Sequence, residues 1–227
     1  CEITEAGRIY GNTGSIQEVV TPEYYRKFLK ERFGYSKEAT EQALAREEQT
    51  EDGNIYTRAQ FYGMEKFPLD QLNVIERDLA PLYDPEQNAI AAVYNTNDYD
   101  EVTNDYQWAK VGDEVRIRYV DEWEYIDTRT GEPVLDLENA EGRYIQGRVV
   151  KSHEVVYTVA ACITMRTSMT YRYFGADEFI LNSEVFKRDS NSASVLTYLF
   201  DTAEADVEST EQFLKDYTQN VDATLDY

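Results

Sequence analysis

Between Glu114 and Tyr125 the chain alternates with a period of two. Val115, Ile117, Tyr119, Trp123 and Tyr125 fall on one side, and Glu114, Arg116, Arg118, Glu122 and Glu124 on the other. A period of two fits a strand with one covered and one wet face, and it does not fit a helix. Val111-Gly112-Asp113 reads as the turn that feeds this strand, and "DTRTGEP" (Asp127–Pro133) as the hairpin tip beyond it. Arg143–Lys151 and Glu154–Ile163 read as two further strands. The second holds the longest apolar run, Val155–Ile163, broken only by Thr158. The middle of the chain is therefore expected to be sheet.

The flanks carry helical signals. Thr21 is placed to cap a helix, Pro22 suits its first position and Glu23 favours the positive end of the helix dipole. Tyr25, Phe28, Leu29 and Phe33 recur at helical spacing, and Gly34 stops the helix. Ser36 is expected to cap a second helix running to about Glu48, followed by a turn at Thr50–Asn54. Ile55, Thr57, Ala59 and Phe61 then alternate as a strand. Short strands are expected at Leu72–Glu76, Ala89–Tyr94 and Phe179–Leu181, and a longer one at Ser194–Phe200. A helix is expected from Ala205 to Asn220, with a last strand opening at Leu225. Gly7, Gly11 and Gly14 read as turns.

This order predicts an α+β fold with two lobes. One is a split βαβ, porter-like lobe built from both chain ends, residues 1–65 with 194–227. The other is an inserted β-rich lobe, residues 66–193.

Forty-four acidic residues against 22 basic ones give a net charge of −22. Such a chain repels nucleic acid and anionic lipid and attracts cations. No run of 18 apolar residues exists, so no membrane-spanning segment is expected within it. The chain starts at Cys1 and stops after "ATLDY", which reads as a piece excised from a longer protein. Cys1 as the lipidated first residue of a mature lipoprotein ranks second. Cys162, among Ala160, Ala161 and Ile163, reads as a small buried thiol.

The residues offer no catalytic machinery. There is no G-x-S-x-G, S-x-x-K, H-E-x-x-H, C-x-x-C or P-loop, and His153 is the sole histidine. His153 is expected to be an exposed residue at a strand start. No catalytic, cofactor-binding or metal-ligating residue is assigned, and no cofactor is expected. The acidic loop Asn95–Asp105, with Asp98, Asp100, Glu101 and Asp105, breaks the pattern of a Ca²⁺ loop and is expected to be solvated. With 44 carboxylates, some pair always satisfies glycosidase spacing, so that signal is unspecific. Trp123 and Tyr125 are expected in a core or lobe interface. Trp108 and Tyr106 are the better candidates for exposed rings, and "SMTYRYFG" (Ser168–Gly175) for a loop lining a partner-facing surface.

Four stretches carry a resemblance: "FPLDQLNVIERDLAPLYDPEQNAIAAVY" (Phe67–Tyr94), "WAKVGDEVRIRYVDEWEYIDTRTGEP" (Trp108–Pro133), "EVVYTVAACITMRTSMTYRYFGADEFILNSEVF" (Glu154–Phe186) and "EQFLKDYTQNVDATLDY" (Glu211–Tyr227). In this order they resemble the extracytoplasmic domain of FtsX-like, MacB-type ABC transporter permeases of Gram-positive bacteria. The residues before Phe67 match more loosely. The family often has Gly where this chain has Arg77, which implies a modified turn. The resemblance implies a non-catalytic domain on the extracellular face of the cell membrane, between the first two membrane helices of a permease. It implies the rest of the permease and a cytoplasmic ATPase subunit as partners, and an extracellular substrate or partner protein. Transmission of ATP-driven motion would be the role. The alternative reading is a free-standing or lipid-anchored extracellular module that binds a sugar or a cationic peptide.

Overall fold

A computed structural model describes residues 2–12, 16–97, 101–103, 107–137, 141–165 and 176–220. Cys1, Gly14, Asp98, Asp100, Asp105, Tyr106, Ser168–Gly175 and Leu225 lie outside the described residues.

The fold is mixed α/β, with one large mixed sheet. Its strands are β1 (Ile3–Asn12), β2 (Ile16–Val20), β3 (Ile55–Met64), β4 (Asn73–Arg77), β5 (Ala89–Val93), β8 (Glu114–Asp127), β9 (Ile145–Thr164), β10 (Asp177–Asn182) and β11 (Ala193–Thr202). A short hairpin, β6 (Asn95–Thr96) with β7 (Val102–Thr103), stands apart. The helices are α1 (Pro22–Phe33), α2 (Lys37–Leu44), α3 (Lys66–Asp70), α4 (Ser183–Asp189) and α5 (Val207–Asn220).

Six strands close into a barrel. Going round, β2 pairs with β3, β3 runs parallel to β10, and β10 pairs antiparallel with β5. β5 then runs parallel to β9, β9 pairs antiparallel with β8, and β8 returns to β2. Closure removes the exposed edges that an open sheet of this size would carry. The pairings β2–β8 and β3–β10 join residues 1–65 to residues 66–193 in one hydrogen-bonded sheet.

Most inward-facing positions are apolar. Phe61, Phe179 and Tyr157 meet at the centre, with ring centroids 5.1 Å (Phe61–Phe179) and 6.1 Å (Phe61–Tyr157) apart. Ile90, Val115, Ile117, Val159 and Leu181 fill the space around them. A second core lies on the outer face of β5 and β10, where Leu69, Leu72, Leu79 and Leu82 cover Tyr62, Ala91, Ile163 and Ile180. A third packs Tyr25, Phe28, Leu29 and Leu44 of the α1–α2 pair against Val20 and Ile55.

Both helix caps expected at the N-terminal side form. Thr21 Oγ1 accepts from the Tyr24 amide at 3.1 Å, and Gly34 ends α1 at φ 65°. Ser36 caps α2 in the same way, although α2 stops at Leu44, short of the expected Glu48. The two strands expected at Arg143–Lys151 and Glu154–Ile163 are one continuous 20-residue strand. The expected wet face of β8 is wet only in part. Arg118 is buried, held by Glu48 at 2.6 and 2.7 Å and by Gln17 at 2.8 Å, and it lies 3.8 Å over the Tyr56 ring.

Gly7 and Gly11 lie within β1, not in turns. A Cβ on Gly7 would lie 2.4 Å from Pro68, and one on Gly11 2.2 Å from Leu196. Close packing, not turn geometry, selects glycine there. Arg77 is the one non-glycine residue at positive φ (65°) among the described residues. It ends β4 in a conformation that glycine adopts far more easily.

Candidate functional site

The strands β1 and β2 run along the same side of β3 as one interrupted line. Gly11 faces Tyr62 and Gln17 faces Arg58, six residues against four, so the line carries two extra residues at the interruption. On its other side β1 pairs with β11, while β2 pairs with β8. The start of β11 and the middle of β8 therefore diverge where one strand line passes from the first to the second. A cleft of about 640 Å³ opens at that divergence. Its floor is Asn12, Ile16 and Gln17 together with Arg58–Phe61 of β3.

One wall is the β8–β9 ribbon, which continues past the barrel. The face that carries Val115, Ile117 and Tyr119 into the core carries Asp121, Trp123 and Tyr125 along the cleft. Trp123 is 44% and Tyr125 42% exposed, and their rings meet edge to face with centroids 6.5 Å apart. They share the predicted face with the core residues but project beyond the core. The indole lies on Gly147 of the facing strand, where a Cβ would stand 1.8 Å from its Cζ2. Trp108, expected to be exposed, is half-buried and bonded to Glu18.

A polar network fixes this ribbon. His153 sits in mid-β9 opposite Tyr119, not at a strand start, and stacks on that ring with centroids 5.4 Å apart. Its Nδ1 lies 3.0 Å from both Asp121 oxygens, and its Nε2 lies 3.0 Å from the Asp189 carbonyl. Both partners are acceptors, so each ring nitrogen faces an oxygen. The Asn191 amide also donates to Asp121. Beneath, the Tyr157 hydroxyl donates to Asp189 Oδ2 at 2.8 Å, which leaves Tyr119 to donate to Tyr157 at 2.7 Å. Burial pushes both phenols well above their ordinary range. Arg188 holds the Asp189 carboxylate at 2.7 and 2.8 Å. Asp189 at the end of α4 and Asn191 just beyond it thus tie down β8 and β9 at three points, His153, Tyr157 and Asp121.

At the barrel end covered by α1 lies a pair of carboxyls absent from the sequence reading. Glu18 is 1% and Asp177 2% exposed. The strand alternation puts Glu18 on the inward face with Ile16, and Asp177 on that of Phe179. Trp108 Nε1–H donates to Glu18 Oε2 at 2.9 Å, and the Tyr24 hydroxyl donates to Asp177 Oδ2 at 2.6 Å. Among the described residues no donor reaches Glu18 Oε1. The two carboxyls lie against each other. Burial, then their mutual repulsion, raises Glu18 well above the ordinary carboxylate range, and burial raises Asp177. A proton shared between them satisfies the orphan oxygen. The pair is sealed from solvent, so it has the proton chemistry of an acid dyad without access for a substrate.

Among the described residues no group of three or more His, Cys, Asp or Glu is placed to hold a metal ion. No described helix is long and apolar enough to cross a membrane. Of the acidic loop, Glu101 is described, and it is bonded to Asn97. Cys162 is buried in β9, and burial raises its thiol.

No family model matches the chain, and no curated protein matches it.

Proposed function

We propose that this chain is a non-catalytic extracellular domain of an FtsX-like, MacB-type ABC transporter permease. In that role it transmits motion driven by a cytoplasmic ATPase to an extracellular substrate or partner. The observation that carries the reading is Arg77. The family often has glycine there, and Arg77 is held at φ 65°, where glycine is favoured. A resemblance drawn from residues alone thus coincides with a backbone requirement that the residues do not display. The pairing of β1 with β11 is compatible with the same reading. The Glu2 amide donates to Asp206 Oδ2 at 2.8 Å, and β1 pairs with β11, so the first and last described strands lie side by side.

Within this reading, residues 1–65 with 194–227 form the porter-like lobe and residues 66–193 the inserted one. Their boundary then runs through the β2–β8 and β3–β10 ladders. Detergent extraction of the full-length protein from its native membranes tests the proposal. Co-purification with an ATPase subunit is expected, and recovery in the soluble fraction, free of any ATPase, would rule it out.

The cleft favours a second reading, a free-standing or lipid-anchored module that binds a sugar or a cationic peptide. Two half-exposed aromatic rings beside amide and hydroxyl groups are what such a module presents.

A further inference from the structure

The cleft differs in charge from the rest of the molecule. The whole chain carries 44 acidic residues in 227, yet the 13 described residues that line the cleft include one acid and one base, Asp121 and Arg58. Asp121 is already engaged by His153 and Asn191. The other polar groups are neutral: the amides of Asn12, Gln17, Gln60 and Asn191 and the hydroxyl of Ser192. A site for a cationic peptide would concentrate the abundant carboxylates, and this one holds a single carboxylate that is already paired.

We propose that the cleft binds a neutral oligosaccharide. A sugar ring has an apolar C–H face, which stacks on an aromatic ring, and a rim of hydroxyls, which pair with amides that both donate and accept. Trp123 supplies the platform. Gly147 lets the indole pack closely against the ribbon, and Tyr125 meets it edge to face. On the floor, the Gln60 amide and the Nε2 of Gln17, whose Oε1 accepts from Arg118, supply hydroxyl partners. The volume of about 640 Å³ lies within the range of small-ligand sites. The platform is pre-set, because Asp121, His153 and Asp189 fix the ribbon against α4 without any ligand.

This proposal rests on the binding-module reading and names its ligand. The test uses the two indole N–H signals of the protein in heteronuclear NMR, since the chain has two tryptophans. Cellotriose, maltotriose and chitotriose are titrated separately to about 10 mM, with decalysine as the cationic counter-probe. At least one trisaccharide is expected to shift the Trp123 signal, while Trp108, bonded to Glu18, stays in place. Trp123→Ala is expected to weaken that binding about 10-fold or more, and Gly147→Ala to do the same while keeping both indoles. A Trp123 response to decalysine alone would overturn the glycan assignment and leave the binding-module reading standing. No response to any probe would overturn both. Trisaccharide binding unchanged by either substitution would overturn the placement of the site.

Discussion

Arg77 and the Glu18–Asp177 pair are where single residues deviate from what their surroundings favour. An L-residue in the left-handed region costs about 1–2 kcal/mol, partly offset by the greater flexibility of an unfolded glycine. Arg77→Gly is therefore expected to stabilise the protein by about 0.5–1 kcal/mol in urea unfolding. A loss of stability would mean that the arginine side chain contributes more than its backbone costs. For the carboxyl pair, both groups are raised on folding. A raised group contributes stability that is fully present at acid pH and is lost as pH climbs through its folded value. Stability should thus fall as pH rises above the ordinary carboxylate range. Glu18→Gln keeps the shape and supplies a permanent donor toward Asp177. It is expected to gain about 1–3 kcal/mol at pH 8, the usual cost of an unsatisfied buried acceptor, and little at pH 4. Equal gains at both pH values would argue against a shared proton.

At the scale of elements, the locally encoded features were legible and the remotely determined ones were not. Thr21, Pro22 and Gly34 specify α1 through groups within a few residues of themselves, so their spacing alone locates the helix. The alternation in β8 likewise reports its own face. β1 was missed because its glycines are required by Pro68 and Leu196, far along the chain. His153 was misplaced for the same reason, since its partners lie 32 and 36 residues away. The cleft itself was invisible, because it exists only where β11 and β8 part. Trp123 was read correctly in its face and incorrectly in its burial, since alternation continues after the barrel ends. α4 shows how an element can depend on one glycine. Gly63 of β3 faces Phe186, whose Cβ would stand 2.6 Å from an added methyl. Phe186 is fully buried and has no room to swing aside. Gly63→Ala is expected to cost about 1–3 kcal/mol in denaturant unfolding. Gly147→Ala, against the tip of an exposed ring, should stay within about 0.5 kcal/mol of the parent. Equal costs would contradict the difference in packing.

For the whole molecule, the closed barrel sets a gradient of local stability. β3, β5 and β10 are paired on both sides and filled by the Phe61–Phe179 core. α5 packs chiefly on the turn at Glu204–Asp206 and leaves Val207, Phe213 and Tyr217 43–60% exposed. In native-state hydrogen exchange, amides of β3 and β10 should open only with global unfolding, and those of α5 about 100-fold faster or more. Uniform protection would mean that α5 is docked on the barrel. The same layout separates a rigid frame from two projecting parts, the β8–β9 ribbon and the β1–β11 pair. A part that conveys motion requires a stiff body between its attachment and its contact surface, which is the arrangement the permease reading needs. That reading depends on the domain facing outward. In the full-length protein, in intact cells and a Cys1→Ser background, Glu132→Cys in the β8–β9 connection can be challenged with a membrane-impermeant maleimide. Cys162, 2% exposed in β9, is the internal unreactive control. Labelling of position 132 without lysis is the expected result, and labelling only after lysis would contradict the extracytoplasmic placement.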